Sequence, residues 1–329
     1  MINLVEKVRL SLGTAIQIGL ESGNQDPNFT TLFLLTYRDG RCEANCAFCP
    51  QAQDSTSTSD RLSRISWPEY DLKKVIGRWP PPGKFRRICI QTICYSEVVQ
   101  EVLEIVGELR KVSKLPISVA IHPISTEDMS KLKNIGVSTL GIALDASTPA
   151  IFDEIKGEQR NAPYRWDKHR QGLLDALRVF GEGNVTTHLI IGLGESEKEA
   201  ADFIIEMYEI GVSVGLFAFT NIKGTYLEDR SPPDLSSYRR IQVVRELVSK
   251  GHLHPEQLRY DEEGRIKLDL DTTTIQEALS SGSAFQVTGC KGCNRPYYTE
   301  KPRGPMYNYP RPLTEEEIER AIEEAKMVI

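Results

Sequence analysis

Apolar, β-branched runs alternate with stretches of helical spacing along most of the chain, the pattern of a parallel sheet with crossover helices. Eight runs read as strands: residues 31–37, 87–92, 117–122, 139–145, 187–192, 212–220, a weaker one near 258–261, and 284–288. Residues 96–112, 126–134, 166–180, 196–210, 236–250 and 274–279 carry helical periodicity, and a last helix is expected at 315–328. Eight strands with interleaved helices predict an α/β fold of the (β/α)8 TIM-type barrel kind, whose chemistry sits in the loops that follow the strands. The spacing of Val5, Val8, Leu10, Leu12, Ala15, Ile16, Ile18 and Leu20 predicts a packing helix, and Glu6, Lys7 and Arg9 argue against a signal peptide. The expected division is an N-terminal helix and lead-in at 1–30, the barrel at 31–289, and a C-terminal segment at 290–329. That last segment holds a Cys-x2-Cys pair, a Pro- and Tyr-rich crossing at 301–312 and the terminal helix.

Composition narrows the class. Forty-six acidic against 40 basic residues give a formal net charge of −6, so there is no global case for a nucleic-acid partner. Forty per cent hydrophobic and 26 per cent charged residues are globular values, and no apolar run approaches the roughly 18 to 20 residues of a membrane span, so no membrane partner is expected. Seven cysteines, an odd and grouped set, point to metal in a reducing cytoplasm rather than to a disulfide framework.

Cys42, Cys46 and Cys49 lie in Cys-Glu-Ala-Asn-Cys-Ala-Phe-Cys, just past the first predicted strand, where a compact loop can turn three thiolates toward one point. Three thiolates can hold three irons of a 4Fe-4S cluster and leave the fourth iron open to an outside ligand; a zinc site is the other reading. The spacing resembles that of the radical S-adenosylmethionine (SAM) superfamily. The resemblance implies that the open iron chelates SAM through its amino and carboxylate groups and that an electron from the cluster cleaves it to a 5′-deoxyadenosyl radical. It also implies that Phe48 packs on the adenine.

Other segments extend the resemblance. Leu140-Gly-Ile-Ala-Leu-Asp-Ala-Ser147 looks like the family's fourth strand, whose polar end contacts the SAM ribose, which implies that role for Asp145; a helix N-cap before Pro149 is the local alternative. His188-Leu-Ile-Ile-Gly-Leu-Gly-Glu195 resembles the fifth-strand motif that supports the adenine, implicating Gly192, Gly194 and Glu195, although a strand-to-helix turn explains the glycines as well. Ile222-Lys-Gly-Thr-Tyr-Leu227 resembles a Lys-Gly-Thr segment common in the biotin synthase and lipoyl synthase branch. Arg170 is the expected cation for the SAM carboxylate. His122, at the end of the third strand, reads as a polar contact in the site or as a structural histidine.

Cys290 and Cys293 form a second group directly after the eighth predicted strand, which a barrel would aim at the same face as the first. Cys89 and Cys94, on the second strand and its loop, cannot both face inward along one regular strand. The expected ligands of an auxiliary 4Fe-4S cluster are Cys94, Cys290 and Cys293, with Cys89 either a fourth ligand or a plain core thiol.

Taken whole, the chain is similar to the biotin synthase-like branch, yet it lacks that family's cysteines on the third and fifth strands. Thr186 stands near the second of those positions, and Ala143 replaces the family's Asn two residues before the aspartate. The upstream three-cysteine motif of bacterial lipoyl synthase is absent too, since residues 1–41 contain no cysteine. What remains most resembles a component of the two-protein lipoyl synthases found chiefly in archaea. That resemblance implies a sulfurtransferase that adds sulfur from the auxiliary cluster to a protein-bound octanoyl chain. Its partners would be an octanoylated lipoyl-carrier protein or domain, a sister radical SAM subunit and an electron donor such as ferredoxin. Residues 294–311, dense in Tyr and Arg, suit a lid, a carrier contact or a plain surface crossing. Two further classes share these residues: a radical SAM enzyme whose second cluster does not donate sulfur, and a zinc-stabilised binding protein.

Overall fold

The computed structural model describes residues 5–301 and 303–327, so residue 302 of the crossing and residue 328 of the expected last helix lie outside it. The chain begins with a strand where a helix is expected. In β1 (Lys7–Leu10), half-buried Lys7 and Arg9 alternate with buried Val8 and Leu10, a period of two. Only α1 (Leu12–Gln17) is helical, started by Ser11, whose hydroxyl accepts from the Thr14 N–H at 3.2 Å. The first parallel strand, β2 (Thr31–Thr36), is followed by the cysteine loop, a small hairpin of β3 (Arg61–Leu62) and β4 (Ile65–Ser66), then β5 (Glu69–Asp71) and α2 (Leu72–Gly77). β1 is held antiparallel between β2 and β5, which is why its backbone is extended.

The next units alternate as the pattern requires: β6 (Arg87–Gln91), α3 (Val98–Val112), β7 (Ile117–Ala120), α4 (Thr126–Asn134) and β8 (Val137–Gly141). Then come α5 (Pro149–Lys156), α6 (Trp166–Phe180), β9 (Val185–Ile191), α7 (Glu197–Glu209), β10 (Ser213–Ala218) and α8 (Leu235–Ser249). The chain ends with β11 (Leu258–Tyr260), β12 (Ile266–Leu268), α9 (Thr272–Leu279) and α10 (Glu315–Ala325).

The main sheet has the order β10-β9-β8-β7-β6-β2-β1-β5, with six parallel strands from β10 to β2. The fold is thus of the TIM-barrel-like α/β kind, but the expected seventh and eighth strands are not in its wall. β11 pairs with β12 in a separate hairpin. Residues Ser283–Phe285 make a single 3-10 turn, followed by one bridge from Gln286 to Tyr309. Neither run has enough buried residues to enter the wall: in β11 only Leu258 is buried, and Ala284 and Phe285 pack at α8, where Arg245 reaches the Ala284 carbonyl.

The open side of this partial barrel is filled by irregular chain. The Leu216 N–H of β10 donates to the Thr288 hydroxyl at 2.9 Å. Thr31 and Arg87, the first residues of β2 and β6, donate to the carbonyls of Gly292 (3.4 Å) and Lys291 (3.0 Å). Farther along, the Tyr298 carbonyl accepts from Ser63 at 3.0 Å and the Thr299 carbonyl from Thr220 at 2.9 Å. Residues 288–299 therefore climb from the starting ends of the strands to their far ends.

Helix α8 is buried almost all round, although it carries Arg239, Arg240, Arg245 and Glu246. The C-terminal segment and α7 satisfy the first two, and Arg245 pairs with Glu246 at 2.6 Å. Arg239 donates to the Tyr307 carbonyl (2.7 Å) and to Glu324 (2.9 Å), while Arg240 meets both oxygens of Glu197 at 2.9–3.0 Å and donates to the Ala325 carbonyl. Removing one partner of such a pair strands the other, at about 3–5 kcal/mol.

The Lys-Gly-Thr segment after β10 braces the cysteine loop. The Gly224 carbonyl accepts from Thr56 N–H (2.8 Å) and the Ser55 hydroxyl (2.9 Å), and Leu227 N–H donates to the Ala47 carbonyl (3.1 Å). Gly224 has φ +85°, and a Cβ there would stand 2.4 Å from the Ser57 nitrogen. Gly251 is similarly left-handed at φ +72° but has open space around it.

Two outcomes follow from these contacts. In urea unfolding, Arg240→Ala should lose about 3–5 kcal/mol, and the Arg240→Ala, Glu197→Ala double variant less, since no charge is stranded. Gly251→Ala should cost only backbone strain of about 1–2 kcal/mol. Gly224→Ala should unfold at a lower temperature than Gly251→Ala and, after anaerobic reconstitution, should alone retain less iron.

Candidate active site with two cysteine groups in one cavity

The loop after β2 is folded tightly by its own backbone: Cys42 N–H to the Gln51 carbonyl (3.1 Å), Cys49 N–H to Cys46 (3.0 Å) and Gln53 N–H to Ala44 (3.0 Å). Ala47 N–H reaches the Ile155 carbonyl at 2.7 Å and ties the loop to α5. Burial pushes the Cys42 thiol up, partly offset by the N–H groups of Ala44 (3.4 Å) and Cys94 (3.1 Å), which donate to its sulfur. Burial pushes the Cys49 thiol up to about 12 and the Cys46 thiol well above its ordinary value, because the apolar surroundings disfavour the thiolate. Among the described residues, no three His, Cys, Asp or Glu side chains are gathered closely enough to hold one ion. A single zinc needs its sulfurs about 2.3 Å from the metal, whereas cluster ligands bind separate irons and stand farther apart.

The second group forms differently from the expectation. Cys89 lies opposite Phe33 and Ser118 in the sheet and lines the interior, and Cys293 and Cys290 are its electrostatic neighbours. Burial raises its thiol to about 12. The Gln91 amide donates to its sulfur at 3.0 Å, and the hydroxyls of Ser118 and Thr186 lie beside Cys290. Cys94 stands apart from this group, close to Cys42 with Tyr164 beside it. The reason is geometric: β6 ends at Gln91, so Cys94 has already left the barrel, while the Cys290–Cys293 loop enters at the opposite end, beside the first residues of β2 and β6. The fourth thiol of the upper region is therefore Cys94, and the third of the lower group is Cys89.

Both groups line one interior cavity of about 230 Å³. Phe48 and Asp145 also line it, as does His122, whose buried Nδ1 has no hydrogen-bond partner among the described residues. Asp145 does not cap the next helix; Thr148 does, accepting from the Ile151 N–H at 3.3 Å. Gly192, Gly194 and Glu195 are not in the lining. The Glu195 carboxylate folds back on its own turn, accepting from the N–H groups of Gly192 (2.6 Å) and Leu193 (3.0 Å), and a Cβ on Gly192 would meet Pro233 at 3.0 Å. Arg170 is likewise outside, paired on the helical layer with Glu206.

The cations that do reach the cavity are Lys156 and Arg295, which the sequence reading passes over. Lys156 is buried and bound to Asp145 at 2.6 Å. Arg295 donates to the Thr288 carbonyl at 2.8 Å, lies 3.8 Å from the Cys293 sulfur, and stacks 4.0 Å over the Phe217 ring. Burial drives His188, edge-on to Phe217, down to about 4, so it stands neutral in the wall. A lysine on the buried face of an amphipathic helix is the one sequence signal that marks Lys156.

No family model matches the chain. It is similar to curated biotin synthases: 24% identical over 206 residues to that of Campylobacter hominis, covering 62% of this chain and 61% of that protein. It is 25% identical over 203 residues to that of Clostridium perfringens, covering 60% of each. The chain thus matches about three fifths of the length of these relatives. Among solved structures, methylornithine synthase superposes with a TM-score of 0.52 at 14% identity, over 68% of this chain and 63% of that one. The chain thus shares the α/β fold of methylornithine synthase over 68% of its length and is similar in sequence to biotin synthases.

Proposed function

We propose that the protein is a radical SAM sulfur-insertion enzyme, a lipoyl synthase component that adds sulfur to a protein-bound octanoyl chain. One observation supports this reading most: two separate cysteine groups, Cys42, Cys46 and Cys49 above and Cys89, Cys290 and Cys293 below, line the same cavity. Cys42, Cys46 and Cys49 would hold a 4Fe-4S cluster able to supply the electron for SAM cleavage. Cys89, Cys290 and Cys293 would hold an auxiliary cluster whose sulfide would take the place of the hydrogen removed from the alkyl carbon, with loss of its Fe–S bonds and one electron passing to cluster iron.

The chain's own residues prepare the space between. Phe33, Val119, Ile121, Ile190, Phe217 and Phe219 give the cavity a largely apolar wall, suited to an alkyl chain and to the exclusion of water from a reactive carbon. Leu62 and Ser63 of the β3–β4 hairpin and Tyr298 and Thr299 of the tail form its rim, joined by the Ser63 to Tyr298 hydrogen bond. That rim is where a carrier protein would present its octanoylated lysine. A sister radical SAM subunit adding the other sulfur and an electron donor such as ferredoxin complete the proposal.

Iron and acid-labile sulfide per chain after anaerobic reconstitution test the lower site. The parent and Cys94→Ala should hold about eight irons, and Cys89→Ala and the Cys290→Ala, Cys293→Ala double variant about four. A parent that holds about four, unchanged by the double variant, removes the auxiliary cluster. With the sister enzyme present, the loaded protein should transfer sulfur to an octanoyl-lysyl peptide; SAM cleavage without sulfur in the peptide would show a second cluster that does not donate it.

A further inference from the structure

The buried face of α5 is Phe152, Ile155 and, against the pattern, Lys156. Its ammonium does not reach water: the side chain is 4% exposed and is spanned by the Phe152 and Tyr164 rings at 5.4 and 5.2 Å. It donates to the Ala143 carbonyl at 2.9 Å and to Asp145 Oδ2 at 2.6 Å. A buried ion pair repays its desolvation only with good geometry, and this one sits in a cavity wall, where fold stability alone does not call for it.

Asp145 is held with equal care. It is a non-glycine residue at φ +65°, in the left-handed region. Its N–H donates to the His188 carbonyl and its carbonyl accepts from the Ile190 N–H, both at 2.9 Å, so the strained residue is pinned from β9. Among the described residues only Oδ2 has a partner, which leaves Oδ1 for whatever fills the cavity. Cys46 and Cys49 lie within the electrostatic reach of Lys156, so the pair stands beside the upper cysteine group.

We propose that Lys156 is a positioning residue that acts through Asp145: the ammonium fixes one carboxylate oxygen so that the other is presented to the hydroxyl groups of the nucleoside part of SAM. This rests on the radical SAM reading above. The lysine touches no reacting atom; it restricts the rotation of the carboxylate and offsets its charge in a dry wall.

The experiment is a double-mutant cycle on SAM affinity, measured by equilibrium dialysis on the reconstituted protein with iron determined for each variant. Lys156→Met and Asp145→Asn should each weaken SAM binding by roughly tenfold to a hundredfold, as for a hydrogen bond to a charged group. The double variant should be no weaker than Asp145→Asn alone, and Lys156→Arg should recover part of the loss. Effects that multiply in the double variant, or a Lys156→Met protein that binds SAM as the parent does, would overturn the proposal. If Lys156→Met fails to retain iron because Asp145 is stranded, the charge-free double variant decides: affinity equal to Asp145→Asn supports the proposal, and a further loss overturns it. A cluster-loaded parent that binds no SAM removes the radical SAM reading itself, an outcome distinct from failure of the lysine alone.

Discussion

Among the described residues strand β10 has a ladder partner on one side only, and a strand edge buried inside a protein must find other partners for its N–H and C=O groups. Here the partners come from irregular chain: the Thr288 hydroxyl takes the Leu216 N–H, and Arg295 reaches the Leu216 carbonyl at 3.5 Å. That substitution of side chains for a strand shapes the site. A regular eighth strand would have carried the chain past the cavity in one direction, with the Cys-x2-Cys pair emerging at the top. The irregular filler instead brings Cys290 and Cys293 in low, beside Cys89, and then lifts Tyr298 and Thr299 to the rim.

The two cysteine groups consequently face each other across one space rather than crowding one end of it. The charged groups between them are few, and each is paired or stacked. Lys156 and Asp145 neutralise one another, Arg295 is seated on Phe217 and the Thr288 carbonyl, and His188 stays uncharged. In so apolar a cavity a loose charge would be costly, which explains why these side chains are so fully engaged.

The supports lie outside the cavity. The Lys-Gly-Thr segment, read from sequence as a family resemblance, here has a mechanical duty: Gly224 lies flat against residues 55–57 because no side chain fits there. Arg239 and Arg240 of α8 fasten the C-terminal segment, and with it the chain that fills the barrel's open side. Glu195, by closing its own turn, leaves Gly192 to packing with Pro233 and Phe219.

Local spacing by itself determined six parallel strands, the helices α3, α4, α6 and α7 between them and the grouping of Cys42, Cys46 and Cys49 in one loop, because each depends on residues close together in the chain. Phe48 and Asp145 are marked instead by family resemblance, and α5 is not among the expected helices. The strand character of Lys7–Leu10 was also present in its alternation, though hidden by the apolar residues of α1 that continue it. Tertiary structure alone decided the rest. Whether Cys89 or Cys94 meets Cys290 depends on where β6 stops and on the path of a tail some two hundred residues later. Which cation enters the cavity depends on neighbours across the fold: Glu206 holds Arg170 outside, while α5 turns Lys156 inward against Asp145. Periodicity reports which face of an element is buried; it carries no record of what that face is buried against.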